Sequence, residues 1–117
     1  MHNDLAARVE AASGPDRELD AEVALAIGWT DISGAGFVGI WERPYGGMIK
    51  LPAFTASLDA AMMLVPEGLY PTIDFVTNRV WLRTAEGYDA PNGVAYGFAN
   101  TVPNSLAAAS LRARGGA

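Results

Sequence analysis

The pattern of apolar residues along this chain predicts an α+β domain with four helices and a mainly antiparallel sheet. Stretches near both ends repeat apolar residues at helical spacing, and a third such stretch follows Phe54. Between them lie short runs of β-branched and aromatic residues, "TIDFVTNRVWLRTA" and "VAYGFA", set off by Gly, Pro and Asn.

The first helix is expected from Asn3 to Ala12, with Leu5, Val9 and Ala12 on one face. "SGP" ends it. Pro15 suits the first turn of a second helix, Asp16 and Glu18 complement its positive end, and Leu19, Val23 and Ile27 form its buried stripe up to a stop at Gly28. From Gly36 to Leu51 two short strands are expected around a loop punctuated by Pro44, Gly46 and Gly47.

In "FTASLDAAMMLVPEG" a third helix should run to about Val65, with Thr55 or Ser57 as its cap. Asp59 then falls in the first turn, where a carboxylate gains from the helix dipole, which favours a structural role over a catalytic one. Ala60 to Val65 is apolar all round, as for a helix packed on several sides or against a partner.

The clearest hairpin follows. With Asn78 and Arg79 as a two-residue turn, Val76 faces Trp81, Phe75 faces Leu82 and Asp74 faces Arg83. Ile73, Phe75, Val80 and Leu82 then make a core face, and Asp74, Val76, Trp81 and Arg83 a mixed one. A last strand, Val94 to Ala99, alternates large Val94, Tyr96 and Phe98 with small Ala95, Gly97 and Ala99, and the small side would let a helix approach closely. That helix is "TVPNSLAAASLRAR", with Pro103 in its first turn and Arg112 and Arg114 near its negative end. Residues 1–2 and 115–117 are expected to fray.

At 117 residues with 50% hydrophobic content, the chain fits one domain with a sizeable core. A net charge of -5 supplies no diffuse positive field for a phosphate backbone, so non-specific nucleic-acid binding is not expected. No segment has the length and apolarity of a membrane span or the pattern of a signal peptide, which predicts a cytoplasmic protein without membrane association.

Three segments carry a family resemblance: "GPDRELDAEVALAIG" from Gly14 to Gly28, "FTASLDAAMMLVPEG" from Phe54 to Gly68, and "SLAAASLRAR" from Ser105 to Arg114. Together they resemble the phage ABA sandwich domain, a family of short phage and prophage proteins. With the segment order, the resemblance implies a single layered α/β/α sandwich over residues 1–117, with helices on both faces of the sheet. It implies a phage origin and the cytoplasm of the host cell as the setting. It brings no known activity, catalytic residue or cofactor, and none is assigned. The "SGAGFVGIWERPYGGMIKL" segment and the hairpin after Pro71 gain no support from it.

Catalytic constellations are hard to assemble. Cys is absent and His occurs once, at His2, so Ser-His-Asp, Cys-His and zinc-deaminase arrangements lack members. Asp16, Glu18, Asp20 and Glu22 splay around a helix and lack the order of a calcium loop, so they read as a solvated face, with Arg17 and Asp20 as an i, i+3 pair, rather than as a metal site. The glycines at 34, 36 and 39 are followed by neither the Lys-Ser/Thr of a phosphate loop nor a helix.

The candidate ligand- or partner-binding residues are Trp41, Arg43 and Tyr45 at one strand end, with Trp81 and Arg83 on the mixed face of the hairpin. Planar guanidinium and aromatic groups together favour recognition of anions or protein surfaces. The alternative is structural: both tryptophans in the core, Arg83 paired with Asp74, and Arg43 solvated. The function expected is that of a phage accessory protein that binds a host protein or a small, nucleotide-like anion without catalysis, in a manner that counters host defence. Alternatives are a small enzyme using carboxylates and arginines on a phosphorylated substrate, and a virion or assembly component. The apolar helix after Thr55 and the Ala-rich last helix also suit a homodimer.

Overall fold

In the computed structural model, residues 2–33, 39–91 and 93–115 are described. The elements run α1 (His2–Ala11), α2 (Arg17–Ala26), β1 (Thr30–Asp31), β2 (Ile40–Glu42), β3 (Met48–Lys50), α3 (Leu58–Met62), β4 (Tyr70–Asp74), β5 (Arg79–Arg83), β6 (Ala95–Phe98) and α4 (Val102–Gly115). This is the expected fold class, a mixed α+β domain in which four helices pack against antiparallel strands. The strands form two three-stranded sheets, β1-β2-β3 and β4-β5-β6. Residues 34–38, within the segment expected to form a glycine-containing loop, and the last two residues, 116–117, lie outside the described residues. Of the ends expected to fray, His2 is the first residue of α1 and Gly115 the last of α4, and residue 1 also lies outside the described residues.

Pro15 stands just outside α2 rather than in its first turn. Asp16 is the cap, its carboxylate accepting from the Leu19 N–H at 3.1 Å. At the other end Gly28 takes a φ of +89°, its N–H donates to the Leu25 carbonyl, and the Trp29 N–H donates to the Ala24 carbonyl at 2.9 Å. These two bonds close the helix in the left-handed stop that favours glycine, and they turn Trp29 into the core.

Of the acids expected to splay in solvent, Asp20 is an exception, with 0% exposure. Its Oδ1 accepts from both the backbone N–H and the hydroxyl of Thr55, each at 2.8 Å, and its Oδ2 accepts from Arg17 at 2.9 Å. Thr55 is therefore engaged with α2 and does not cap α3. That cap is Ser57, whose hydroxyl accepts from the Ala60 N–H at 3.2 Å, which leaves Asp59 exposed in the first turn as expected.

The helix buried on all sides is α4, not α3, whose Met62 and C-capping Met63 are exposed. Every residue from Asn104 to Leu111 is buried. Ala107, Ala108 and Leu111 join a cluster with Leu5 and Val9 of α1, Leu19 and Val23 of α2, Trp29, Trp41 and Phe54. Leu106, Ala109 and Ala113 join a second cluster with Ala61, Leu69, Val80, Leu82 and Ala95. Small residues let neighbours approach α4 from both sides. At Gly97 of β6, an added Cβ would lie 1.9 Å from the Ser105 carbonyl oxygen. The small side of β6 does admit a helix.

The hairpin register differs from the expected one. Tyr70 faces Arg83, Thr72 faces Trp81, Ile73 faces Val80 and Asp74 faces Arg79. Asn78 and Arg79 do not form a two-residue turn; residues 75–78 make a four-residue loop. Asp74 accepts from the N–H groups of Val76 and Thr77 at 2.9 and 3.3 Å, and Asn78 takes a φ of +62°. Phe75 and Val76 sit in this loop, Val76 being 93% exposed, rather than on sheet faces. The shift is by an even number of residues, so Ile73, Val80 and Leu82 keep the inner face.

Candidate functional site

In an antiparallel ladder directly opposed residues share a face. The register thus gathers Tyr70, Thr72 and Asp74 of β4, Arg79, Trp81 and Arg83 of β5, and Tyr96 and Phe98 of β6 on the outer face of the second sheet. α4 packs on the opposite face, and among the described residues this outer face carries no helix.

Contacts across this face order its side chains. The Trp81 and Tyr96 rings lie 5.1 Å apart at 50°, and the Arg79 guanidinium sits 5.0 Å from the centre of the Phe98 ring. Tyr70 and Phe98 are largely exposed, whereas Trp81 and Tyr96 are half-buried. Where Tyr70 faces Arg83 a recess of about 450 Å³ opens, bounded also by Thr72, Thr84 and Gly87. The result is a platform of rings with guanidinium groups of β5 beside them.

The five residues singled out in the sequence fall in three places. Trp41 is 4% exposed and belongs to the first core cluster. Arg43 and Tyr45 stay together in the β2–β3 turn, the guanidinium 5.0 Å from the ring centre, and Tyr45 is 75% exposed. Trp81 and Arg83 lie on the outer face of the other sheet. Arg83 has Tyr70 opposite it, not Asp74, so the ion pair that the structural alternative required is not formed among the described residues.

Tyr70, Arg79, Tyr96 and Phe98 complete the platform without having been singled out. The large side of β6, Tyr96 and Phe98, is visible in the sequence. Which strand it lies beside is not, and that neighbour gives it a functional reading.

The acids are dispersed on structural duties. Asp16 caps α2, Asp20 binds Thr55, and Glu22 pairs with Arg8 at 2.6 and 2.7 Å. Glu10 pairs with Arg112; burial pushes its carboxyl up, but the Arg112 guanidinium and the Phe98 N–H outweigh this and hold it below the usual carboxylate range. Among the described residues no group of three or more His, Asp or Glu is placed to hold a metal ion, and no helix is long and apolar enough to cross a membrane. No protein-family model, curated protein or solved structure matches the chain.

Proposed function

We propose that this chain is a phage or prophage accessory protein that acts by binding a host protein, without catalysis, through the outer face of β4-β5-β6. The observation that carries the reading is the bare platform of Tyr70, Trp81, Tyr96 and Phe98 with Arg79 and Arg83 among the rings. Trp, Tyr and Arg are the side chains that contribute most at protein interfaces, and here they are spread over three strands rather than gathered in the one recess beside Tyr70. A net charge of -5 argues against a nucleic-acid strand as the occupant. The partner surface this chemistry fits is apolar at its centre, with carboxylates placed to meet the two arginines.

The phage setting rests on the resemblance of the three sequence segments, and the α+β fold is compatible with it. Occupying a host factor in the host cytoplasm is the means by which such a protein would counter a defence; that step rests on analogy.

The test is capture from host extract by the immobilised protein. A host protein retained by the wild type and by Glu67→Ala, but lost from Trp81→Ala and Arg83→Ala at unchanged melting temperature, supports the reading. Light scattering at micromolar concentration addresses a second copy as the occupant: a dimer that Trp81→Ala dissociates would replace the host partner with the chain itself. Turnover of nucleotides or phosphoesters would remove the non-catalytic part.

A further inference from the structure

Apart from the sheet platform, four separate elements converge on a cleft of about 410 Å³. The glycine stop of α2 supplies Ile27 and Trp29, the β2–β3 turn supplies Pro44 and Tyr45, the end of α3 supplies Met63, and the last turn of α4 supplies Arg114. Trp29 is fixed from behind by an edge-on contact with Phe54, ring centres 5.9 Å apart. This volume falls in the usual range for small-ligand sites, about 300 to 1,000 Å³.

Arg114 is the basic residue that lines the cleft, and Arg43 lies against its Tyr45 wall. Acids outnumber basic residues 13 to 8, and Arg8, Arg17 and Arg112 each hold a carboxylate. Arg43 and Arg114, like Lys50, Arg79 and Arg83, hold none among the described residues. Arg114 donates through Nε to the Leu64 carbonyl at 3.0 Å, which fixes the head while its terminal nitrogens have no carboxylate among the described residues. Its guanidinium is half-buried and meets no carboxylate among the described residues, and burial pushes its pKa down. Arg43 lies over Tyr45 and packs so closely on Gly47 that an added Cβ there would fall 2.5 Å from Nη2. Its Nε is buried without a hydrogen-bond partner.

We propose that this cleft binds a small anion attached to a flat ring, an aromatic phosphate or carboxylate, with the anionic group on Arg114 and the ring against Trp29 and Tyr45. Guanidinium groups match the two oxygens of such anions, and aromatic walls accept a planar group. Arg43 adds positive potential behind Tyr45 and holds that ring in place. The inference does not rest on the sheet platform, and the two can fail separately, because the probe assay below involves no protein partner.

The test is calorimetric titration of the full chain with phenyl phosphate and with benzoate, alongside inorganic phosphate. One-to-one saturable binding of at least one ring-bearing probe is expected, weakened about tenfold or more by Arg114→Gln and by Tyr45→Ala. Tyr45 is exposed, so its replacement tests the site even where Arg114→Gln fails to fold. The relative strength of phenyl phosphate and benzoate identifies the anion. Inorganic phosphate binding as tightly as either would overturn the role of the ring. Absence of saturation with both ring-bearing probes, or binding indifferent to both substitutions, would overturn the site.

Discussion

Glu10 and Arg112, 102 residues apart in the chain, form a two-pronged ion pair across the edge of β6, at 2.6 and 2.5 Å. The same groups satisfy the backbone of that edge. Arg112 donates to the Tyr96 carbonyl at 2.8 Å, and Glu10 accepts from the Phe98 N–H at 2.8 Å. An edge strand left open would invite another chain to pair with it. Here two side chains from α1 and α4 occupy it, so the β6 edge beside the platform is closed to strand addition.

Glu10→Gln should lower stability by about 1 to 3 kcal/mol at neutral pH, between the values for exposed and buried pairs, since both side chains are partly buried. The Glu10 pKa is depressed in the folded state. Its contribution is therefore present above the unfolded value, about 4.3 for Glu, and is lost as pH falls through the lower folded value. Urea unfolding between about pH 2 and 6 should show the wild type and Glu10→Gln converging at the acid end. A gap independent of pH would show that the carboxylate charge is not the stabilising feature.

Replacement of Asp20 should separate shape from charge. Asp20→Ala removes the acceptor for the buried Thr55 N–H and hydroxyl and should cost about 3 to 5 kcal/mol. Asp20→Asn keeps an oxygen in place for both and loses chiefly the charge facing Arg17, whose side chain is 60% exposed, so a loss of about 1 to 2 kcal/mol is expected. Denaturant midpoints that rank the two variants the other way would remove this account.

Two glycines should respond oppositely to alanine. At Gly97 the methyl group would collide with the α4 backbone at Ser105, so Gly97→Ala should cost more than about 3 kcal/mol or prevent folding. At Gly14 nothing lies within 4 Å of an added Cβ and φ is not positive, so Gly14→Ala should change stability by less than about 1 kcal/mol. Thermal melts of the pair test whether the β6–α4 contact is as close as described.

The alternation in β6 and the apolar stripes of α1 and α2 were legible because burial follows strand and helix periodicity directly. Phe75 and Val76 misled for a physical reason. They are apolar, yet the Asp74 carboxylate gathers their loop by accepting backbone N–H groups, a local bond that outcompetes extension of the strand. Likewise the acidic run before Glu22 hid Asp20, since nothing local marks one acid of four as the partner of a threonine 35 residues away.

The site was legible in kinds of residue but not in grouping. Trp41 and Trp81 look alike in sequence, yet one is core and the other faces outward, because their strands belong to different sheets. Arg114 escaped notice for a related reason: as a base near a helix end it already had a sufficient local explanation.

The helix shared by both clusters follows, in chain order, every strand and helix that it touches. During synthesis on the ribosome, the contacts that α4 makes in both clusters therefore form only once residues 102–115 emerge. Neither cluster is complete before then. Until then, the apolar surfaces that α4 covers in the fold remain open to chaperones and proteases.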